Sequence, residues 1–327
     1  MKAQPVKLLA AAAATWAAMF GAASGEAIKW DMPTPYPDAT FHTVNIKQFA
    51  EDVKAATGGE FEIEVHSAGS LFKHPEIKNA VRSGQVPIGE FLLSRLSNES
   101  AVFGVDSVPF LATDYETAAK LWEASRPQVE KLLERQGLRV LYAVPWPPQG
   151  LYAKTEIQTV DDLKGLKFRA YNAATERLAT LAGAVPTQIE VADLAQAFAT
   201  GRIEAVITSP STGANNKFWD FVTHFHHTQA WLPKNVVVVN KRAFDGLDPA
   251  VQQAVLEAAA QAEARGWQAS VDETAAKIKI LEENGMVVNE PSATLKEGLL
   301  AIGETMTAEW AEVTGADGAG ILDAYRR

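Results

Sequence analysis

Along this chain the spacing of apolar residues switches back and forth between the two-residue period of a strand and the 3.6-residue period of a helix. Ala27–Met32 (AIKWDM) predicts a strand, stopped by the loop that holds Pro33, Pro35 and Pro37. Val44, Ile46, Phe49, Ala50 and Val53 recur at helical spacing within His42–Thr57, and Gly58-Gly59 closes that helix. Phe61-Glu62-Ile63-Glu64-Val65 then alternates strictly, as a half-buried strand does. A helix over Pro75–Ser83, a strand over Val86–Leu93, a long amphipathic helix over Asp114–Gln136 and a strand over Leu138–Val144 complete a β-α-β-α-β series with a helical insertion. Such a series is one doubly wound half.

Beyond it the pattern restarts. Gly150–Lys154 reads as extended, Val160–Leu163 as a short turn, and Leu166–Ala170 as a strand that runs directly into a helix over Ala173–Ala182. Val191–Thr200 is helical up to Gly201, and Ala205-Val206-Ile207 is a strand entering the loop Thr208–Gly213. Within Trp231–Asn240 the run NVVVVN reads as a strand buried on both faces, and Pro249 to Ile280 is helical, with Ala and Gln supplying propensity. The expected fold class is α/β, with two doubly wound α/β lobes joined by crossing strands and a long helix. The lobes are placed at 28–147 plus 236–274 and at 148–235 plus 275–327. No Gly/Ser-rich tether separates them, so bending of ordered elements near Val144–Gly150 and Leu232–Val237 is expected to serve as the hinge.

Composition sharpens this picture. With 327 residues and 47% hydrophobic content, each lobe has material for its own core. A formal net charge of −10 opposes binding to a phosphate backbone, so nucleic acid is not an expected partner. Zero cysteines remove disulfides, thiolate nucleophiles and cysteine-ligated metals. Met1-Lys2 and Lys7 precede the apolar run LLAAAAATWAAMFG, too short to span a bilayer, and small residues follow it. Residues 1–27 therefore read as an export signal, cleaved between about Ser24 and Ile28. The mature chain is expected to be periplasmic and not embedded in the membrane. Two α/β lobes behind an export signal suggest a protein that closes on a small solute.

The stretch Val160 to Thr175, VDDLKGLKFRAYNAAT, with Gly201-Arg202-Ile203-Glu204-Ala205 beyond it, resembles the P-subunits of tripartite ATP-independent periplasmic (TRAP) transporters, the DctP-like solute-binding proteins. Thr57 to Val65 (TGGEFEIEV) is similar to that family's turn and second strand, and the similarity spans most of residues 28 to 300. The resemblance implies a periplasmic binding protein-like fold, an organic-acid anion as ligand, and the TRAP membrane permease subunits as partners. It implies no enzymatic step, no cofactor and no metal.

It also implies that Arg169, at the end of the LKGLKFR strand, pairs with a solute carboxylate. The chemistry suits the position, because a guanidinium fork matches a planar carboxylate bidentately and keeps its charge. Asn172 matches a family asparagine near the same anion, and equally suits a helix N-cap. Where many relatives carry a second arginine, Gln149 stands here; an amide cannot neutralise a second charge, so a monocarboxylate is expected. Thr208 or Ser209 replaces a family asparagine, which disfavours polyhydroxylated sugar acids. Trp146, Trp231 and Phe91, with Trp30 and Tyr36, lie near strand ends and would form apolar walls suited to an aromatic or 2-oxo acid, whereas Trp122, Trp219, Trp267 and Trp310 sit in helical patterns and read as structural.

Other chemistries find less support. His224-Phe225-His226-His227 lacks the i, i+4 spacing and the glutamate of a helical metal site. Gly315 to Gly320 (GADGAG) follows a helix with no strand before it and reads as a turn. Two alternatives to a transport receptor stay open: an exported enzyme on the same fold, with Asp31, Glu90 or the histidines as its titratable groups, and a receptor that presents its ligand to a sensor kinase.

Overall fold

The computed structural model describes residues 27–327, so the export segment lies outside the described residues apart from Ala27. In the first lobe β1 (Ile28–Pro33) and β2 (Phe61–His66) pair in parallel around α1 (Phe41–Ala56). The return from α1 into β2 needs two successive left-handed residues, Gly58 and Gly59 at φ 61° and 87°, which only glycine adopts without strain. There follow α2 (His74–Ser83), β3 (Ile88–Leu92), two short 3₁₀ segments at Leu93–Asn98 and Ala101–Ser107, α3 (Tyr115–Glu134) and β4 (Leu138–Pro145). Asp114 caps α3 by accepting from the Thr117 N–H at 2.8 Å.

The second lobe holds β5 (Gly150–Ala153), β6 (Lys167–Ala170), α4 (Ala173–Leu181), β7 (Val185–Gln188), α5 (Leu194–Ala199), β8 (Ala205–Thr208), α6 (Pro210–Asn215) and β9 (His224–His226). The chain then returns through β10 (Lys234–Asn240), α7 (Lys241–Asp245) and α8 (Pro249–Glu283), and ends in β11 (Val287–Asn289) and α9 (Ala293–Tyr325). Strand order in the second sheet is β11-β9-β5-β8-β6-β7, and in the first lobe β10 lies between β3 and β4.

Of the three sheets among the described residues, only the β1–β2 pair is parallel throughout. β10 runs antiparallel to β3 and β4, and β5 runs antiparallel to β8 and β9. The reason lies in the crossings. Each of these strands follows directly on a crossing from the other lobe, so it enters its sheet from the cleft side and runs away from it. The parallel strands β3, β6 and β8 instead end at the cleft, where this class of fold gathers its ligand. The two crossings are themselves paired: the Trp146 N–H donates to the Pro233 carbonyl at 2.8 Å and the Gln149 N–H to the Trp231 carbonyl at 2.9 Å.

α8 lies against α1 and β4 in the first lobe and against α6 and β11 in the second, so one helix spans both. α9 starts beside α4, but its later part joins the first lobe's core, where Trp310, Ile321 and Leu322 cluster with Phe103 and Leu121. Trp310 Nε1 donates to the Ala101 carbonyl at 2.7 Å, and the Tyr325 hydroxyl to the Leu111 carbonyl at 2.7 Å. The end of the segment assigned from sequence to the second lobe thus packs in the first. The expected turn at Gly315 to Gly320 is also shorter than read: Gly315 alone leaves the helix, at φ 54° and ψ −129°, and helix resumes after it. Among the described residues, no helix is long and apolar enough to cross a membrane.

Candidate functional site

Between the lobes lies a cavity with about 40 Å³ available to the centre of a water molecule, and a wider vestibule of about 290 Å³ adjoins it past Tyr36, Trp146, Val191 and Thr212. Since roughly 10–15 Å³ on this measure admits one water, the inner chamber suits a small solute. Arg169 reaches it from the end of β6. Its Nε donates to the Ile189 carbonyl at 3.0 Å, and its Cζ lies 4.6 Å from the centre of the Tyr171 ring. Among the described residues that is the side chain's one hydrogen bond, and no carboxylate comes within 4.0 Å of it. Among the described residues neither terminal amino group has a hydrogen-bond partner. Burial pulls the guanidinium pKa down to about 10, which leaves it charged at neutral pH.

A second guanidinium lines the chamber but is already spent. Arg95, on the 3₁₀ segment after β3, pairs in bidentate fashion with Glu190, just beyond β7, at 2.9 and 3.2 Å. This ion pair ties the first lobe to the second. His74, from α2, accepts the Leu92 N–H on Nε2 at 3.1 Å, so the neutral ring carries its proton on Nδ1, which lies 3.8 Å from Glu190. Burial, reinforced by Arg95 and Arg169, holds the His74 pKa well below the usual histidine range. The chamber's fixed charges are therefore Arg169, Arg95 and Glu190, a net of one positive.

The wall is a hydrogen-bonded relay of aromatic and amide groups. Trp231 Nε1 donates to the Tyr171 hydroxyl at 3.2 Å, Tyr171 donates to Gln149 Oε1 at 3.3 Å, and Gln149 Nε2 donates to the Pro147 carbonyl at 2.7 Å. Behind the opposite wall, Asn235 Oδ1 accepts from Trp146 Nε1 at 2.9 Å and from Tyr36 at 3.3 Å, and its amide donates to the buried Glu90 at 2.9 Å. Thr212 accepts the Ser209 hydroxyl at 3.0 Å, which leaves its own proton to point elsewhere.

Of the residues singled out from sequence, Arg169, Gln149, Thr208 and Trp146 line the chamber. Gln149 does so with its amide oxygen and one of its two amide N–H groups already bonded, to Tyr171 and Pro147. The others stand back from it. Asn172 caps α4, accepting the Thr175 N–H at 2.9 Å, and turns its amide across the lobes to Ser94 at 2.9 Å. Ser209 caps α6. Trp231 is 1% exposed behind Tyr171, and Phe91 faces the first lobe's core with Val236 and Val238, because alternate residues of β3 point to opposite faces of its sheet and Phe91 lies on the face away from Ile88 and Leu92. Tyr36, His74, Arg95, Tyr171, Glu190 and Thr212 line the chamber without having been proposed as ligand contacts, Tyr36 excepted as a wall. The histidines at 224–227 lie on and just beyond β9, with the His224 and His226 rings stacked at 6.1 Å between centroids, and His226 accepts the Ile157 N–H at 3.1 Å. Asp31 is exposed on β1 and meets His66 at 2.7 Å.

Two α/β lobes enclose a chamber that holds, among the described residues, one guanidinium without an acidic partner, an arrangement suited to a small anion. Residues 35–313 match the bacterial extracellular solute-binding proteins of family 7, and the chain belongs to that family, the DctP-like solute-binding proteins of TRAP transporters. It is similar to DctP6 of Bordetella pertussis, an extracytoplasmic solute receptor binding pyroglutamic acid, with 48% identity, coverage of 91% of this chain and 99% of that one, and a TM-score of 0.90. It is also similar to a marine metagenome TRAP solute-binding protein specific for pyroglutamate, with 43% identity, coverage of 92% and 99%, and a TM-score of 0.91. The 2,3-diketo-L-gulonate-binding periplasmic protein YiaO of Escherichia coli K12 shares 28% identity over 223 residues, 66% of this chain and 67% of its own. The protein is thus a TRAP solute-binding protein for an organic acid, and its family consists of receptors and not of enzymes.

Proposed function

We propose that this receptor is exported to the periplasm, captures pyroglutamate or a closely similar small cyclic monocarboxylate, and delivers it to the TRAP permease. One observation carries the reading: Arg169 is 5% exposed and, among the described residues, has no internal acid as partner and keeps both terminal amino groups unengaged, in a chamber whose fixed charges leave one positive in excess. A single carboxylate neutralises that excess, and a dicarboxylate would bring a second charge with no counter-ion. Pyroglutamate binding by a receptor sharing 48% identity, and pyroglutamate specificity in another sharing 43%, support the same choice of solute. Pyroglutamate is a five-membered lactam with one carboxylate, and so carries the single negative charge the chamber can neutralise.

Capture in this reading is hinge closure over the paired crossings at 144–150 and 232–237, with Arg169 holding the carboxylate and Tyr171 beneath it. The bound anion favours the closed form because it touches both lobes only there. Titration calorimetry tests the assignment. Arg169→Ala is expected to weaken L-pyroglutamate binding by about a hundredfold or more, the loss of a charge-assisted bidentate contact of roughly 3 kcal/mol. Arg169→Lys is expected to recover little, since a point charge does not match the fork. Wild-type affinity in the Ala variant would remove Arg169 from the role.

A further inference from the structure

We propose that Glu190, held in place by Arg95, determines specificity by accepting an N–H that the solute carries on the atom next to its carboxylate-bearing carbon. The assignment rests on the solute reading above and adds which end of the solute is read by which residue. Glu190 follows Ile189, whose carbonyl fixes Nε of Arg169 at 3.0 Å. The cation that takes the carboxylate and the anion that follows it in the wall are thus tied together by one peptide unit. They do not pair with each other: Glu190 is near enough to be felt at Arg169, yet no carboxylate lies within 4.0 Å of that guanidinium among the described residues. A gap between opposite charges suits a solute with an anionic group and a hydrogen-bond donor on neighbouring positions.

A bare carboxylate facing an anion site would repel its ligand. Here Arg95 cancels that repulsion with two contacts, to Oε1 at 2.9 Å and to Oε2 at 3.2 Å, and each oxygen retains a second lone pair for an incoming donor. The hydroxyls of Thr208 and Thr212 and the Nδ1–H of His74, which also line the chamber, are donors and suit the ring carbonyl of a lactam. The chamber thus offers a cation, an acceptor and a set of neutral donors, which matches the carboxylate, N–H and C=O of one small ring. A solute with CH₂ in place of N–H would leave Glu190 desolvated and without its donor, and sites built to bond a polar group reject analogues that lack it.

The purified protein, freed of co-purified solute, is titrated by calorimetry with L-pyroglutamate and with 3-oxocyclopentane-1-carboxylate, which keeps the carboxylate and ring carbonyl and exchanges N–H for CH₂. The wild type is expected to prefer pyroglutamate by about tenfold or more, the scale of a hydrogen bond to a charged group. In Glu190→Ala that preference is expected to shrink to about threefold or less. Loss of the Arg95 ion pair weakens both solutes by a common factor, so the ratio isolates the N–H contact. Glu190→Gln, nearly isosteric, serves as a second variant should the alanine form fail to fold, and its preference is expected to fall below wild type. A preference that survives unchanged in either folded variant overturns the assignment, and so does a wild type that binds both solutes equally. A wild type that binds other organic acids but not pyroglutamate overturns the solute reading, and this assignment with it.

Discussion

Glu90 sits 1% exposed on β3, where burial pushes its pKa up to about 7 in spite of hydrogen bonds from Thr34 at 2.5 Å and Asn235 at 2.9 Å. A carboxyl whose pKa is raised on folding binds its proton more tightly in the native state, so folding stability falls as pH rises from about 4.5 to about 7 and then levels off. Glu90→Gln keeps the shape and removes the titration. Relative to wild type, its stability in urea unfolding is expected to gain about 2–3 kcal/mol between pH 5 and pH 8. A difference that stays flat across that window would mean the carboxyl is not held as a buried acid. Sequence named Glu90 only as a candidate catalytic group, since burial is a property of the fold. Arg169 was legible because its strand carries a family motif. Arg95 and Glu190 were not, because a pair formed across two lobes by residues 95 positions apart leaves no local pattern.

Elements divide by length in the same way. α1 and α3 follow the apolar spacing closely, because helices of 16 and 20 residues repeat the pattern many times, whereas α8, at 35 residues, was legible from its Ala and Gln propensity. β7, β9 and β11, at three or four residues each, are too short to announce a period, and β9 reads from sequence as a cluster of imidazoles. Asn172 and Ser209 illustrate a different ambiguity: the side chains that cap helices are the same ones that bind solutes, and packing alone decides between the uses. Gly266 in α8 is another case in which packing opposes propensity. Helix propensity favours alanine there by about 1 kcal/mol. A methyl group at that point, however, would lie 2.4 Å from Cγ2 of Val144 and 2.7 Å from Nδ2 of Asn45. Forced overpacking costs about 1–3 kcal/mol, so Gly266→Ala is expected to lower thermal stability, and a rise in the melting temperature would show that α8 can step away from β4.

For the whole molecule, the affinity of a two-lobed receptor is set partly by bonds that never touch its solute. The Asn172 amide crosses the cleft to the Ser94 hydroxyl at 2.9 Å, and Ser94 does not line the solute chamber. On the proposed hinge closure this bond is made only while the lobes are together, so it stabilises the closed form over the open one. Ser94→Ala removes it and leaves the Asn172 amide only its longer contact to Ser107 at 3.4 Å; at about 1 kcal/mol for a neutral hydrogen bond, the closing equilibrium constant falls about fivefold. Apparent affinity falls in proportion to the competent fraction, so the dissociation constant for solute is expected to rise about fivefold, with faster release. The unfolding midpoint of the solute-free protein should change little, because an open form has already given the bond up. Stopped-flow fluorescence of Trp146 and Trp231, at the chamber and behind its wall, reports the release rate, and urea unfolding without solute reports the stability. Weaker binding with an unmoved unfolding midpoint identifies Ser94 as part of the closure equilibrium. An equal loss in unfolding stability and binding would place Ser94 in the ordinary core, and closure would then owe nothing to that bond.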